Sequence, residues 1–306
     1  MTRKAPYSGE PTPIGEFAEP SFVRLPDPAV LFRARAARFD ALAQAHTLAP
    51  YLTFLGTLSA IQARLAESLP VPAIPPLEDV EGAYGPAQAP VERTRYAPDE
   101  VALASVEALL AALADVAMPE AARQALSRLA AMGAAERAAA LVRVLEEPAP
   151  SEALAEHSLL SGALQIVFAK MAAGMDADRL QPVAEGTACP VCSSPPLASL
   201  IVGWPGARNT RYCACGLCGT AWNYVRIKCT LCGSTKGIAY HGIDGDAGTI
   251  KAESCESCRR YIKILYQQKD PALEPLADDV ASLGLDLLMR EIGFARGAVN
   301  PFLLGY

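Results

Sequence analysis

The chain has 306 residues, is 51% hydrophobic and 20% charged, and carries a net charge of −6. That is the composition of an ordinary globular protein, long enough for two or three domains with a sizeable helical core. No apolar run reaches the ~20 residues needed to cross a bilayer, and residues 1–28 hold no continuous apolar segment of the signal-peptide kind. Neither membrane insertion nor secretion is expected, and the sequence places the protein in the cytoplasm.

Residues 1–26 are rich in Pro, Gly and Glu and lack periodicity, which predicts a flexible arm. Asp27-Pro28 then combines an N-cap with a proline at the first helical position, opening a helix to about Gln44. Pro50 opens a second helix, with Tyr51, Phe54, Leu55, Leu58, Ile61 and Leu65 on one face, and Leu69-Pro70 stops it. Seven prolines between residues 70 and 98 mark an extended connection over the surface of the helical domain. Asp99 starts a third helix with Leu103, Val106, Leu110 and Leu113 as its buried stripe. Met118-Pro119, Gly133 and Pro148-Ala149-Pro150 bound two shorter helices. Ser151 caps a longer one through Leu154, Leu160, Leu164, Val167, Phe168 and Met171, ended at Gly174. Residues 27–180 thus form an all-α domain, in which His46 and His157 read as capped or surface residues and not as ligands.

After about residue 185 the period changes from helical to alternating. Strands are expected over residues 197–203, 211–213, 221–227, 237–241, 249–253 and 261–266, three to each of two units, 185–227 and 228–270. From Pro271 to Ile292 one amphipathic helix is predicted to bury Leu276, Val280, Leu283, Leu287, Leu288 and Ile292. A short tail completes this last unit, 271–306.

All nine cysteines lie between Cys189 and Cys258, and eight of them form four Cys-x-x-Cys pairs. The last two pairs repeat the first two at an offset of 40 residues. Cys189 and Cys192 correspond to Cys229 and Cys232, and Cys215 and Cys218 to Cys255 and Cys258. Each pair sets two sulfurs on one tight turn, which is half of a tetrahedral metal site. The repeat favours two sequential sites, Cys189/Cys192/Cys215/Cys218 and Cys229/Cys232/Cys255/Cys258, over a cross-brace of alternate pairs. Units this small cannot fold on apolar burial alone, so metal is expected to stabilise them. Gly219 and Gly233 follow the second cysteine of their pairs, where a positive φ aims backbone N–H groups at sulfur.

Four thiolates close the coordination sphere, which argues against hydrolytic zinc chemistry and leaves structural zinc or redox-active iron. Cys213 corresponds to Glu253, so the repeat does not need it, and it reads as a spare strand thiol. His241 lies between the pairs of the second unit, where all ligand positions are already filled. Trp204 and Trp222 are expected to pack against the knuckles. No Walker sequence, GxSxG or HExxH is present, so nothing in the sequence supports an enzyme. Residues 189–270 hold ten Lys or Arg against five Asp or Glu, leaving +5 there and −11 elsewhere. A zinc-ribbon nucleic-acid binder is one rival that follows, though two divalent metals with four thiolates each would offset most of that surplus. A rubredoxin-like electron-transfer component is another.

The sequence resembles the FdhE family, accessory proteins of formate dehydrogenase. The resemblance rests on Cys189-Pro-Val-Cys192, Arg211-Tyr212, Cys215-Gly-Leu-Cys218 leading into Trp222-Asn-Tyr-Val-Arg226, and Lys228-Cys229-Thr-Leu-Cys232. It is densest in Lys251-Ala-Glu-Ser-Cys255-Glu-Ser-Cys258, Tyr261-Ile-Lys-Ile-Leu-Tyr266, Lys269-Asp-Pro271, Asp278-Asp279 and Asn300-Pro-Phe-Leu303. It implies a cytoplasmic factor for assembly of respiratory formate dehydrogenase that binds the catalytic subunit before export. It also implies two rubredoxin-like modules that hold iron, with zinc as the alternative metal. The expected architecture is therefore α plus small β: a helical domain, two tandem rubredoxin-like four-cysteine modules and a C-terminal helix. No nucleic-acid partner is expected, and homo-oligomerisation is left open.

Overall fold

The computed structural model describes residues 20–74, 89–146 and 148–304. Most of the expected arm and the middle of the proline-rich connection lie outside the described residues. The described end of the arm is ordered: Val23–Arg24 form a short strand, β1. Six helices follow, α1 (Pro28–Ala43), α2 (Ala49–Ser68), α3 (Glu100–Leu113), α4 (Glu120–Ala131), α5 (Ala134–Glu146) and α6 (Leu154–Ala173). The caps of α1 and α3 are those read from the sequence, with Asp27 accepting from the Val30 N–H and Asp99 from the Ala102 N–H. Ser151 does not cap α6. It opens a separate 3-10 turn, residues 151–153, and its hydroxyl bonds the neighbouring Glu152.

Helix α6 is the axis of the helical region. Leu159, Leu160, Ala163, Leu164, Ile166, Val167, Phe168 and Ala169 are all buried, so its apolar residues wrap the cylinder and do not form a stripe. A helix that is apolar all round needs neighbours on every side. Here α2, α3, α4 and α5 surround it, and the first cysteine unit meets it at Gln165.

The second half is an eight-stranded sheet. Its strands are β1, β2 (Pro196–Ile201), β3 (Arg211–Cys215), β4 (Ala221–Asn223), β5 (Ile238–His241), β6 (Ile250–Cys255), β7 (Arg260–Leu265) and β8 (Ala295–Arg296). The order is β1-β4-β3-β2-β7-β6-β5, with β8 on β7. The 40-residue repeat is visible in this order, since β4-β3-β2 recurs as β7-β6-β5. The two units are not separate, however. Strand β2 pairs in parallel with β7, Ala198 opposite Lys263 and Leu200 opposite Leu265, which fuses two antiparallel meanders into one sheet. Pairing satisfies an edge that each three-stranded unit would otherwise expose.

The single C-terminal helix of the sequence reading is two helices, α7 (Pro275–Ala281) and α8 (Leu283–Glu291). The break has a cause on β7. The Lys263 ammonium donates to the Asp279 and Ser282 carbonyls at 2.7 and 3.1 Å, so a cation caps the C-terminal end of α7. The change of direction rotates the apolar stripe. Leu285 and Met289 are buried, whereas Leu287, Leu288 and Ile292, expected in the core, face outward.

Candidate metal centres

The four Cys-x-x-Cys turns share one backbone design. In the first three, the N–H of the leading cysteine donates to the carbonyl five residues on: Cys189 to Ser194, Cys215 to Thr220 and Cys229 to Ser234. The N–H four residues on returns to the leading carbonyl in all four turns, from Ser193, Gly219, Gly233 and Arg259. Each of those last residues has a positive φ, between 55° and 75°. Glycine was the expected occupant at two of them. Ser193 and Arg259 adopt the same conformation at a cost of about 1–2 kcal/mol each. They stand 40 positions from Gly233 and Gly219, so the repeat itself carried the signal. Gly219 has a second constraint, because a Cβ there would lie 2.5 Å from Leu31 Cδ2 of α1.

These turns bring the sulfurs together in the two sequential groups, Cys189/Cys192/Cys215/Cys218 and Cys229/Cys232/Cys255/Cys258, each within 4.8 Å. In site 1 the Sγ atoms of Cys189 and Cys218, and of Cys192 and Cys215, are 3.5 Å apart, and those of Cys192 and Cys218 are 3.7 Å apart. In site 2 the Cys229–Cys258 and Cys232–Cys255 distances are 3.9 and 3.8 Å. Sulfurs at about 2.3 Å from one tetrahedral centre stand ~3.8 Å apart, so both groups fit a four-thiolate metal ion. Backbone N–H groups of Cys218 and Leu231 lie 3.4 Å from the Cys215 and Cys229 sulfurs, positioned to stabilise thiolate charge.

The two sites differ in their surroundings. All four cysteines of site 1 are buried and belong to the same apolar core as α2, α3 and α6. Burial pushes the Cys189 and Cys218 thiols well up. Burial also opposes ionisation of Cys215, but thiol donation from Cys189, Cys192 and Cys218 outweighs it and holds Cys215 well below the usual range. In site 2, Cys229 and Cys255 are buried, Cys258 is half-buried and Cys232 is exposed.

The other candidates fall outside both groups. Cys213 is fully buried on β3 and burial pushes its thiol up to about 12. His241 bonds the Ser254 hydroxyl at 2.8 Å. His46 accepts from the Leu48 N–H and bonds the Ala281 carbonyl, and His157 bonds the Ala153 carbonyl. Trp222 is buried in the core that holds site 1 and donates to the Gly186 carbonyl, so it is closed to a stacking base. Trp204 packs against Tyr212 and under the Arg24 guanidinium in a different cluster, away from the knuckles.

Three family models match in succession, "FdhE, N-terminal" over residues 20–185, "FdhE, central domain" over 188–226 and "FdhE, C-terminal domain" over 227–303. The chain belongs to the FdhE family. It is 41% identical over 304 residues to a "Protein FdhE homolog" of Rhizobium meliloti (strain 1021), covering 99% of each chain. A "Protein FdhE homolog" of Proteus mirabilis (strain HI4320) is 33% identical, with 89% of this chain and 88% of that one covered. The crystal structure of the FdhE protein from Pseudomonas aeruginosa superposes with a TM-score of 0.79 at 30% identity, covering 93% of this chain and 99% of that one. A helical region followed by a sheet is thus the architecture this FdhE chain shares with a solved one.

Sequence reasoning missed the FdhE residues that hold the cysteine units in place. Gln165 of α6 donates to the Gly216 carbonyl, inside the second knuckle, at 2.7 Å. Its amide oxygen in turn accepts from Gln62 and Arg35. Arg211 pairs with Glu253 at 2.7 Å and donates to the Arg226 and Lys228 carbonyls, which tether the link between the units. The Gln165–Gly216 and Arg211–Glu253 contacts span 51 and 42 positions, which no spacing rule connects; packing of α6 on the knuckle makes the first and the sheet order the second.

Proposed function

We propose that this FdhE chain is an accessory protein for the assembly of respiratory formate dehydrogenase, acting in the cytoplasm on the catalytic subunit before export. The observation that carries the reading is the pair of four-sulfur groups in a chain that matches the family from residue 20 to residue 303. Four thiolates leave a metal no open position for substrate, so chemistry on a bound substrate is not what such a site offers. The groups suit iron, which supplies a one-electron couple, and zinc, which supplies only a cross-link. We assign iron, in two rubredoxin-like sites. No helix among the described residues is long and apolar enough to cross a membrane, in keeping with action before export.

Protein purified without oxygen is expected to carry two metal ions per chain and to show thiolate-to-iron charge-transfer bands. Colourless protein with two zinc ions would replace iron by zinc. A tagged catalytic subunit is expected to co-purify with the chain, and loss of the chain to abolish formate dehydrogenase activity. Absence of the complex together with full activity in a deletion strain would refute the accessory role.

A further inference from the structure

The charges around the two sites differ as sharply as their burial. Within four residues of a site 1 cysteine the sequence has Glu185, Arg211 and no other Asp, Glu, Lys or Arg. Arg211 is buried against Glu253. Within four residues of a site 2 cysteine stand Arg226, Lys228, Lys236, Lys251, Arg259 and Arg260, against Glu253 and Glu256. Arg259 pairs with Glu256 and covers Phe294. Arg226, Lys228, Lys236 and Arg260 have no ion-pair partner among the described residues, and each is exposed or half-exposed. Four residues of chain span on the order of 13 Å, so these cations form a collar around the one metal site that reaches solvent.

The collar has an apolar component. Val225 and Ile227 alternate with Arg226 and Lys228 in the run that enters Cys229, and they are 53% and 70% exposed. Each large apolar side chain left in water next to free cations is a contact waiting for a partner of matching pattern. We infer that the exposed face of site 2, from Val225 to Lys236 with Arg260, docks an acidic protein segment carrying apolar side chains between its carboxylates. A nucleic acid fits less well. The face from Val225 to Lys236 holds no aromatic residue for a base to stack on, and the two that precede it, Trp222 and Tyr224, are buried. Identification of the acidic segment with part of the formate dehydrogenase catalytic subunit rests on the accessory-protein reading; the face itself does not.

The test uses two probes and the full chain, labelled with nitrogen-15 and loaded with zinc, which is diamagnetic and keeps the amide signals beside the site readable. One is a synthetic peptide alternating glutamate and leucine, the other a single-stranded oligonucleotide of equal charge. The peptide is expected to shift amide signals of residues 225–237 and 256–260, with binding that weakens as salt is raised. Charge reversal by Arg226→Glu, Lys236→Glu and Arg260→Glu together is expected to weaken peptide and catalytic-subunit binding about tenfold or more. Metal content is to stay at the wild-type value. The pair Arg64→Glu and Arg95→Glu, exposed on the helical region, is the control and is expected to leave binding unchanged. Each single reversal is measured as well, so that loss of metal in the triple variant does not decide the outcome. Peptide shifts elsewhere, or none, would overturn the docking face, as would tighter binding of the oligonucleotide. If the catalytic subunit binds wild type and metal-loaded reversal variants alike, the face is wrong and the accessory role stands. If the peptide binds as expected and the subunit does not bind at all, the face stands and the accessory role fails.

Discussion

Arg211 and Glu253 form an ion pair with side-chain exposures of 0% and 2%, set on strands that the sheet order separates by two others. A charge taken out of water needs a partner and hydrogen bonds to offset its lost hydration. Arg211 has Glu253 and donates to the Ser199 hydroxyl at 3.2 Å and to two carbonyls of the inter-unit link, while its Nε and the second Glu253 oxygen have no hydrogen-bond partner among the described residues. The position of Glu253 is the one that Cys213 holds in the first unit, so the repeat was broken there and the two divergent residues face a common cation. Burial raises the Cys213 thiol, and the charge of Arg211 partly offsets it. Glu253→Gln is expected to destabilise the metal-loaded protein by about 3–5 kcal/mol, because it leaves Arg211 buried and unpaired. Urea unfolding at constant metal content measures it. Arg211→Met combined with Glu253→Leu is expected to recover part of the loss, and a silent single substitution would show that the pair holds nothing.

At the level of elements, the knuckles were the legible part of this chain. A Cys-x-x-Cys turn is local, its partner lies within the same 40-residue unit, and spacing sufficed to group Cys189 with Cys218 and Cys229 with Cys258. The helix caps at Asp27 and Asp99 were legible for the same reason. Three features were not local and were misread or missed: fusion of the units through β2 and β7, the break of the last helix by Lys263, and the unequal burial of the sites. Unequal burial has a consequence for metal exchange. Site 1 lies under α1, α2 and α6, with Gly219 against Leu31, so a chelator reaches it only after those elements separate. At site 2 the exposed Cys232 sulfur is open to attack without unfolding. A chelator added to native protein is expected to remove one metal ion quickly and the second only at the rate of unfolding. Cys232→Ser is expected to abolish the fast phase, whereas Cys192→Ser unfolds the first unit. Two equal rates in wild type would contradict the asymmetry.

Over the whole molecule, α7 is the piece that joins the helical region to the sheet, and it does so with buried acids. Glu274 pairs with Arg35 at 3.0 Å and Asp278 with Arg38 at 2.7 Å, both on α1. Asp279, on the same short helix, pairs with Lys263 of β7 at 3.1 Å and with Arg296, and accepts from the Asn300 amide at 2.8 Å. The two neighbouring aspartates titrate in opposite directions. For Asp278 burial outweighs Arg38 and raises the carboxyl. For Asp279 burial is outweighed by Lys263 and Arg296, with Asn300 adding to them, and the carboxyl is held below the usual carboxylate range. A depressed folded value stabilises fully above the unfolded value, near ~3.9, and the contribution disappears as pH falls through the lower folded value. Asp278 has the reverse sign: its ionised form is the less favourable one when folded, so acid does not remove stability through it. The acid limb of stability traceable to α7 therefore belongs to Asp279. Asp279→Asn is expected to lower the melting temperature at pH 7 and to flatten the further fall of the curve below about pH 4. Acid also releases metal from thiolates, but that step is common to wild type and variant, so the difference between their curves isolates the carboxylate. Parallel curves, with the variant as acid-sensitive as wild type, would place the acid limb in the cysteine sites and leave α7 a clamp made by packing alone.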